Sequence, residues 1–413
     1  MTRCVVVGSG AREHALAHAL AARAEVVVTP GNPGIAAHGI TCVSTPATEL
    51  DADLFVIGPE QPLVDGLADQ LRAQGKVVVG PGRDGARLEG SKAFMKEFLA
   101  AAGVPTAAYA AFHDEPAALA YLDTMRPPYV IKTDGLAAGK GVLVTDDLGA
   151  ARRDVRDKLS GSAFGAAGTT VVIEEGLAGF ECSLHVLCDG TRALALVTAQ
   201  DFKRVGDGDR GANTGGMGAY APMALSQGQI DEVMASIVAP TLDELARRSI
   251  EYRGVLYAGL MIGPQGAKLL EYNVRFGDPE TEVIAPLYGD RLFDLLARVG
   301  EGRLGDVDAT VDRCALTVVL AAHGYPQSPR GGDVIDGLGE DGQLVEAREG
   351  VTIFHAGTAR REDGRFVTAG GRVLAITAVA ESIDEARRRA YDASALVTFE
   401  GKVMRGDIAR VVA

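Results

Sequence analysis

Four short runs rich in β-branched residues, "RCVVV", "EVVV", "DLFVIG" and "KVVVG", recur within residues 1–103, each bounded by Gly or Pro. They are apolar without alternation, so both faces of each strand need cover. Helical patterns fill some of the gaps, notably "REHALAHALAA" and "PLVDGLADQLRAQG". Continuous apolar strands with crossover helices predict a doubly wound parallel sheet. "SKAFMKEFLAAAGVP" then reads as one helix. Ser91 caps it, Phe94, Met95, Phe98 and Leu99 share its apolar face, and Gly103 with Pro105 ends it.

The pattern changes after residue 103. "PYVIKTD" and "KGVLVTD" read as two strands joined by a glycine-rich tip, followed by a helix at 148–159, a second glycine-rich stretch and the strand "TTVVIEE". Further on come "RALALVTAQ", "VLYAGLMIG" and "AKLLEYNVRF", with a long helix between the first two. The last hundred or so residues add "CALTVVLAA", "VTIFHAGT" and "RVLAITAVA" and a closing helix, where Ser382 and Glu385 have capping-box spacing. At 413 residues the length suits two to four domains. The fold class expected is α/β and α+β multidomain.

Charge and composition exclude several roles. The formal net charge is −14, against a general nucleic-acid or anionic-membrane surface. No apolar run approaches the roughly 20 residues of a membrane helix. The first ten residues resemble neither a signal nor a transit peptide. Five scattered cysteines lack metal-ligand spacing, and reduced thiols in a cytoplasmic protein are the simplest reading.

Several stretches carry chemistry. "KTDGLAAGKGV" (132–142) has neither the spacing nor the strand-to-helix context of a Walker loop. As a hairpin tip, its backbone N–H groups can close over phosphates, with Lys140 adding charge. Lys132, inside the preceding strand, needs an anionic partner. The alternative is a flexible surface hairpin. In "LLEYNVRFGDPE" (269–280), strand alternation puts Glu271, Asn273 and Arg275 on one face and Leu270, Tyr272, Val274 and Phe276 on the other. Carboxylate and amide oxygens suit Mg²⁺, and the guanidinium suits a transferred phosphoryl group. A polar edge-strand face is the alternative. "VVIEEGLAGFECS" can present backbone groups to an adenine edge, and Glu181 to a ribose hydroxyl. "AQDFKRVGDGDRGANTGGMGAY" reads as a long functional loop. In "GSGAREHA", Glu13 stands where a dinucleotide fingerprint has its third glycine, so the NAD reading is weak. The first turn still places Gly10 and Arg12 at a ligand crevice. His14 and His18 read as packing or solvated side chains.

Together these stretches resemble the phosphoribosylamine–glycine ligase family of ATP-grasp enzymes. The likeness runs through "GSGAREHALA", "PGNPG", "VIGPEQPLVDG", "LEGSKAFMKEFL", "VIKTDGLAAGKGV", "VIEEGLAGFECS", "QDFKRVGD", "NTGGMGAY", "EYNVRFGDPET", "GYP", "FHAGT" and "GGRVL", over essentially the whole chain. It implies an amino-terminal substrate domain (1–103), an ATP-grasp lid (104–190), a central ATP-grasp subdomain (191–312) and a small carboxy-terminal α/β domain (313–413). By motif, Lys92, Lys132, Gly139 and Lys140 would face the ATP phosphates. Glu174, Glu175, Leu177 and Glu181 would hold adenine and ribose. Glu271 and Asn273 would bind Mg²⁺ or Mn²⁺, and Arg275 would face the γ-phosphate. Gly215, Gly216, Asp278, Pro279 and Glu280, with Gly10 and Arg12, would surround glycine and 5-phosphoribosylamine. Asp201 and Asn213 join Lys140 and Arg275 as expected catalytic residues. The resemblance implies a monomer; the expected cytoplasmic location rests on the cysteines, and the expected absence of a nucleic-acid or membrane partner on the charge.

Overall fold

The structure, a computed structural model, describes residues 2–136, 141–161 and 170–410. The first domain is the expected parallel sheet. Its strand order is Thr41–Cys42, Glu25–Pro30, Arg3–Gly8, Leu54–Ile57, Val78–Val79, all pairs parallel. The order reverses direction at Arg3–Gly8, so a crevice opens at the carboxyl ends of the central strands, above Gly8 and Gly58. The expected helix over 62–75 is two helices, Glu60–Val64 and Leu67–Ala73. Gly66 divides them at φ +86°, a left-handed conformation that stops the first helix. Helix Lys92–Ala102 is capped as read: Ser91 accepts from the Phe94 N–H and Gly103 lies at φ +68°.

Two further sheets carry the rest. A four-stranded sheet, ordered Tyr109–Phe112, Val171–Glu175, Tyr129–Thr133, Val142–Thr145, stands with helices Glu115–Leu122 and Leu148–Leu159 where the lid is expected. An eight-stranded antiparallel sheet runs Gly266–Asn273, Arg253–Gly263, Phe180–Asp189, Ala193–Asp201, Gly218–Ala221, Cys314–Ala321, Arg372–Ala380, Val351–His355. Strand Phe180–Asp189 pairs along its length with Arg253–Gly263, so the chain leaves the lid sheet after Glu175, earlier than the expected division at 190. Gly218–Ala221 pairs with Cys314–Ala321, so this sheet also continues across the expected division at 313.

The long helix expected before Arg253 is Gln227–Val233 and Ala239–Arg247, with a π turn at Met234–Val238 between them. Pro240 has no N–H to return to the preceding turn, and a π turn accommodates that loss. At the closing helix, Ile383–Leu396, the Ser382 hydroxyl accepts from the Glu385 N–H. The Glu385 carboxylate instead engages Arg388 and Arg389.

The apolar cores sort the parts. Val5, Phe55, Leu88 and Phe98 share one core with Leu184, Leu256 and Tyr272, so the first domain and the central sheet are packed together. The lid has its own small core of Ala118, Leu122, Tyr129, Ile131, Ala151, Val155, Val171 and Ile173. Leu122→Ala is expected to cost about 2–5 kcal/mol locally. Hydrogen exchange should then quicken in the lid strands and helices and stay unchanged at Val5 and Leu184.

His14 and His18 belong to a larger cluster. His14 is fully buried, its Nε2 lies 3.0 Å from His38 Nδ1, and its Nδ1 accepts from the His355 backbone N–H at 2.9 Å. His18 stacks on His38. The rings meet edge-on or stacked, and no three His, Cys, Asp or Glu side chains converge for a metal among the described residues. Burial lowers His355 from 6.5 to about 4, although the Gly342 carbonyl works the other way. The unfolded chain therefore binds more protons than the folded one below pH 6.5, and stability falls as pH drops towards 4. His355 alone accounts for up to about 3 kcal/mol of this loss. In urea titrations, His355→Gln should flatten that part of the pH profile.

Candidate active site

Strand Gly266–Asn273 organises the site. A bulge sets two of its residues, Leu269 and Leu270, against Leu260 of the neighbouring strand. The simple alternation therefore fails at Leu270: Leu269 is the residue in the core, and Leu270 is half-buried. The Leu270 carbonyl instead accepts from Lys132 Nζ at 3.1 Å. Beyond the bulge the alternation holds, with Tyr272, Val274 and Phe276 buried and Glu271, Asn273 and Arg275 on the cleft side.

Lys132 finds the partner its burial requires. Glu174 is 1% exposed and forms ion pairs with Lys132 at 3.0 Å and Lys96 at 2.9 Å. Lys96 is fully buried, and burial lowers it to about 8 although Glu174 opposes this. It also donates to Thr106 at 2.8 Å. Sequence reasoning missed Lys96 because an apolar helix face hides it. The Glu174 side chain is thus committed to two lysines, and its backbone is what remains for a base edge. Lys92 donates to the Gly135 carbonyl at 3.1 Å, and Asp134 accepts from Ser91 and the Ala93 N–H. The start of the "KTDGLAAGKGV" loop is therefore tied to the helix beginning at Lys92. Gly139 and Lys140 lie outside the described residues.

Glu271 is the common neighbour. Burial opposes its charge, but Lys132, Lys92, Lys203 and Arg275 outweigh it and hold the carboxyl below its usual range. Lys203 pairs with Glu181 and, at 3.1 Å, with Asp201. Desolvation raises Asp201, and Glu280 and Glu181 add to that rise against Lys203. Glu175 accepts from the Ala108 N–H at 3.0 Å and pairs with Lys268 at 3.3 Å. Leu177 sits half-buried in the connection between the lid and central sheets. Asn273 Oδ1 accepts from Arg275 at 3.1 Å. Arg275 is also held by Glu60 at 3.1 Å and Glu89 at 2.8 Å, both from the first domain.

The turn after Arg275 is the second centre. Glu280 is 2% exposed and accepts from the Tyr257 hydroxyl and from Ser183 at 3.1 Å. His185 stacks on Tyr257, and its Nε2 accepts from the Gly277 N–H at 2.9 Å. Arg372, from the carboxy-terminal part, pairs with Asp278 Oδ1 at 3.0 Å and donates to the Gly215 carbonyl at 2.6 Å. Tyr325 accepts from the Gly215 N–H at 3.2 Å. Gly216, at φ +111°, lies so close to Pro279 that a Cβ would fall 2.4 Å from the proline Cδ. Asn213 ends the strand leading to these glycines and pairs with Arg204.

Gly10 and Arg12 meet the same turn from the first domain. Arg12 Nη1 donates to the Phe276 carbonyl at 3.3 Å, and a Cβ on Gly10 would lie 3.7 Å from Asp278. Glu13 reaches back to the Gly10 N–H at 2.6 Å and fills the space over Gly8 and Gly58. A dinucleotide pyrophosphate needs that space, so the geometry removes the NAD reading. Sequence reasoning also assigned no role to Glu60, Glu89, Ser183, His185, Tyr257, Tyr325 or Arg372. The available signal was that Glu60, Glu89, Ser183, Tyr325 and Arg372 lie inside the stretches "VIGPEQPLVDG", "LEGSKAFMKEFL", "VIEEGLAGFECS", "GYP" and "GGRVL".

Three phosphoribosylglycinamide synthetase domain descriptions match the chain: the N domain at 2–89, the ATP-grasp (A) domain at 90–281 and the C domain at 315–411. The chain is 46% identical to phosphoribosylamine–glycine ligase of Brucella melitensis over 420 residues, covering 98% of this chain and 97% of that one. The crystal structure of the phosphoribosylamine–glycine ligase of Thermotoga maritima superimposes with a TM-score of 0.86 at 35% identity, covering 98% of this chain and all of the other. A biotin carboxylase domain of the Hydrogenobacter thermophilus 2-oxoglutarate carboxylase shares the fold, with a TM-score of 0.72 at 15% identity, covering 98% and 92%. No helix among the described residues is long and apolar enough to cross a membrane. The chain belongs to the phosphoribosylamine–glycine ligase family of ATP-grasp enzymes, ATP-dependent ligases of purine biosynthesis.

Proposed function

We propose that this chain joins glycine to 5-phosphoribosylamine through glycyl phosphate, giving glycinamide ribonucleotide, ADP and phosphate. The observation that carries this reading is the cleft-side row Glu271, Asn273 and Arg275, with Lys132 on the Leu270 carbonyl and the Asp278–Glu280 turn directly after it. A carboxylate is a poor acyl donor, so the glycine carboxylate first attacks the γ-phosphate of ATP. Lys132 and Lys92 are assigned to neutralising charge on the phosphates, a role the family motif also gives Lys140. Arg275, already held by Glu60 and Glu89, presents its guanidinium beside Asn273. The amine of the sugar then attacks the acyl phosphate, phosphate leaves and the amide forms. Water must be kept from that intermediate, a role the family motif gives the stretch at 132–142.

Glu271 and Asn273 offer two oxygen donors on one strand face, which fits an ion that takes its remaining ligands from water and phosphates. Mg²⁺ or Mn²⁺ held there would supply charge neutralisation for the nucleotide. Glu181 and the backbone near Glu175 and Leu177 are assigned to ribose and adenine. Glu280 and Asp201 are assigned to the glycine ammonium, and the Gly215–Gly216 and Asp278–Pro279 loops, with Gly10 and Arg12, to the sugar amine. We further propose a cytoplasmic monomer, which the unpaired Cys4, Cys42, Cys182, Cys188 and Cys314 support for the compartment.

The test is ADP release with Mg²⁺ and ATP, with ribose 5-phosphate and ammonia as the source of the sugar amine. ADP should require both glycine and the sugar amine, and the product should have the mass of glycinamide ribonucleotide. ADP formed without glycine would instead indicate another ATP-grasp ligase or carboxylase. Glu271→Gln and Lys140→Ala should each lower kcat by about 10²–10³-fold with the fold intact by circular dichroism. Full activity in either variant removes that residue from the mechanism.

A further inference from the structure

Glu282 lies in the first turn of helix Thr281–Tyr288, directly after the turn assigned to the substrates. Its side chain is fully buried, and neither carboxyl oxygen has a well-formed hydrogen bond from another residue among the described residues; its own backbone N–H is the one donor at hand. An ionised carboxylate in such a place is strongly disfavoured. The group beside it is another carboxyl, Asp278, four residues earlier. Two carboxyls this close share one proton, and their surroundings decide which keeps it. Asp278 has Arg372 on Oδ1 at 3.0 Å and Arg12 nearby, and these hold it below the usual carboxylate range against its own burial. Glu282 is pushed well up by burial, then by the charge of Asp278, with Arg372 opposing. Burial without an outside partner thus favours the neutral form of Glu282, while Arg372 favours the ionised form of Asp278.

The pair sits at a junction. Arg372 also donates to the Gly215 and Asp278 backbone carbonyls, at 2.6 and 3.0 Å. Gly10 faces the same carboxylate from the first domain. The orientation of Asp278 is thus set from one side by a cation and from the other by an acid.

We propose that Glu282 is a positioning residue for the ligation: its carboxylic acid donates a hydrogen bond to Asp278 and fixes the carboxylate that, with Arg372, recognises the sugar-amine substrate. This rests on the reading of the Asp278–Glu280 turn as substrate lining. An amide can donate the same bond, whereas an apolar side chain cannot. Glu282→Gln should therefore keep kcat/KM for 5-phosphoribosylamine within about twofold of the parent. Glu282→Leu should lower it by about 10- to 100-fold, the scale for a hydrogen bond to a charged group, with KM for ATP little changed. A folded Glu282→Leu enzyme with unchanged kcat/KM for the sugar amine overturns the proposal. So does a Glu282→Gln enzyme that falls as far as Glu282→Leu. Should Glu282→Leu not fold, infrared difference spectra of the parent against Glu282→Gln at pH 7 decide. A protonated carboxyl band lost in the variant supports the donor, and its absence from the parent overturns it. Asp278→Asn separates the two levels. If it leaves the sugar-amine kinetics untouched, the substrate reading of the turn fails, and the proposal with it. If it impairs them while Glu282→Leu does not, only the role of Glu282 fails.

Discussion

Arg275 holds the site together. Its side chain is 14% exposed, and the guanidinium lies between Glu60 and Glu89 of the first domain, the Asn273 amide oxygen and the Phe276 carbonyl. A buried cation needs such company, because losing one partner of a buried pair costs about 3–5 kcal/mol. The two carboxylates come from helices Glu60–Val64 and Arg83–Gly90, whereas Arg275 follows the central strand Gly266–Asn273. This one side chain therefore fixes the parallel-sheet domain against the strand that carries Glu271. It also sets the direction in which the chain enters the Asp278–Glu280 turn.

Around that anchor, charge is arranged in pairs whose partners come from different parts of the chain. Glu174 of the lid meets Lys96 of the helix before it, and Asp278 meets Arg372 of the carboxy-terminal part. Buried polar groups tolerate no vacancy, so each such pair registers one part against another. The apolar cores reinforce the division. The first domain and the central sheet share a core, while the lid packs on its own.

Much of this was legible in the residues. The parallel sheet followed from unbroken apolar strands, and the cap at Ser91 with the stop at Gly103 from side-chain chemistry that acts within a few residues. The cleft-facing row of Glu271, Asn273 and Arg275 followed from strand alternation. Leu270 broke that alternation, because a bulge depends on the partner strand and leaves no local mark. Glu385 failed to close its capping box because Arg388 and Arg389 compete for the same carboxylate. Lys96, Tyr257 and His185 stayed hidden for another reason: each lies in an apolar stretch whose pattern reads as core.

The sequence by itself determined the element types, the family to which the motifs point, and the strand and loops that bear the polar groups. These depend on backbone propensity, on periodicity and on short-range side-chain contacts. Tertiary structure alone decided what those groups touch. Glu174 serves two lysines, Arg275 locks the first domain in place, Glu13 fills the crevice a dinucleotide would need, and Arg372 reaches Asp278 across 94 residues. Protonation was decided at the same level. Glu271 and Glu282 are the same residue type, yet one is surrounded by cations and the other faces a carboxylate in a closed interior. Burial and neighbouring charge set a proton's place, and both exist only once the chain has folded.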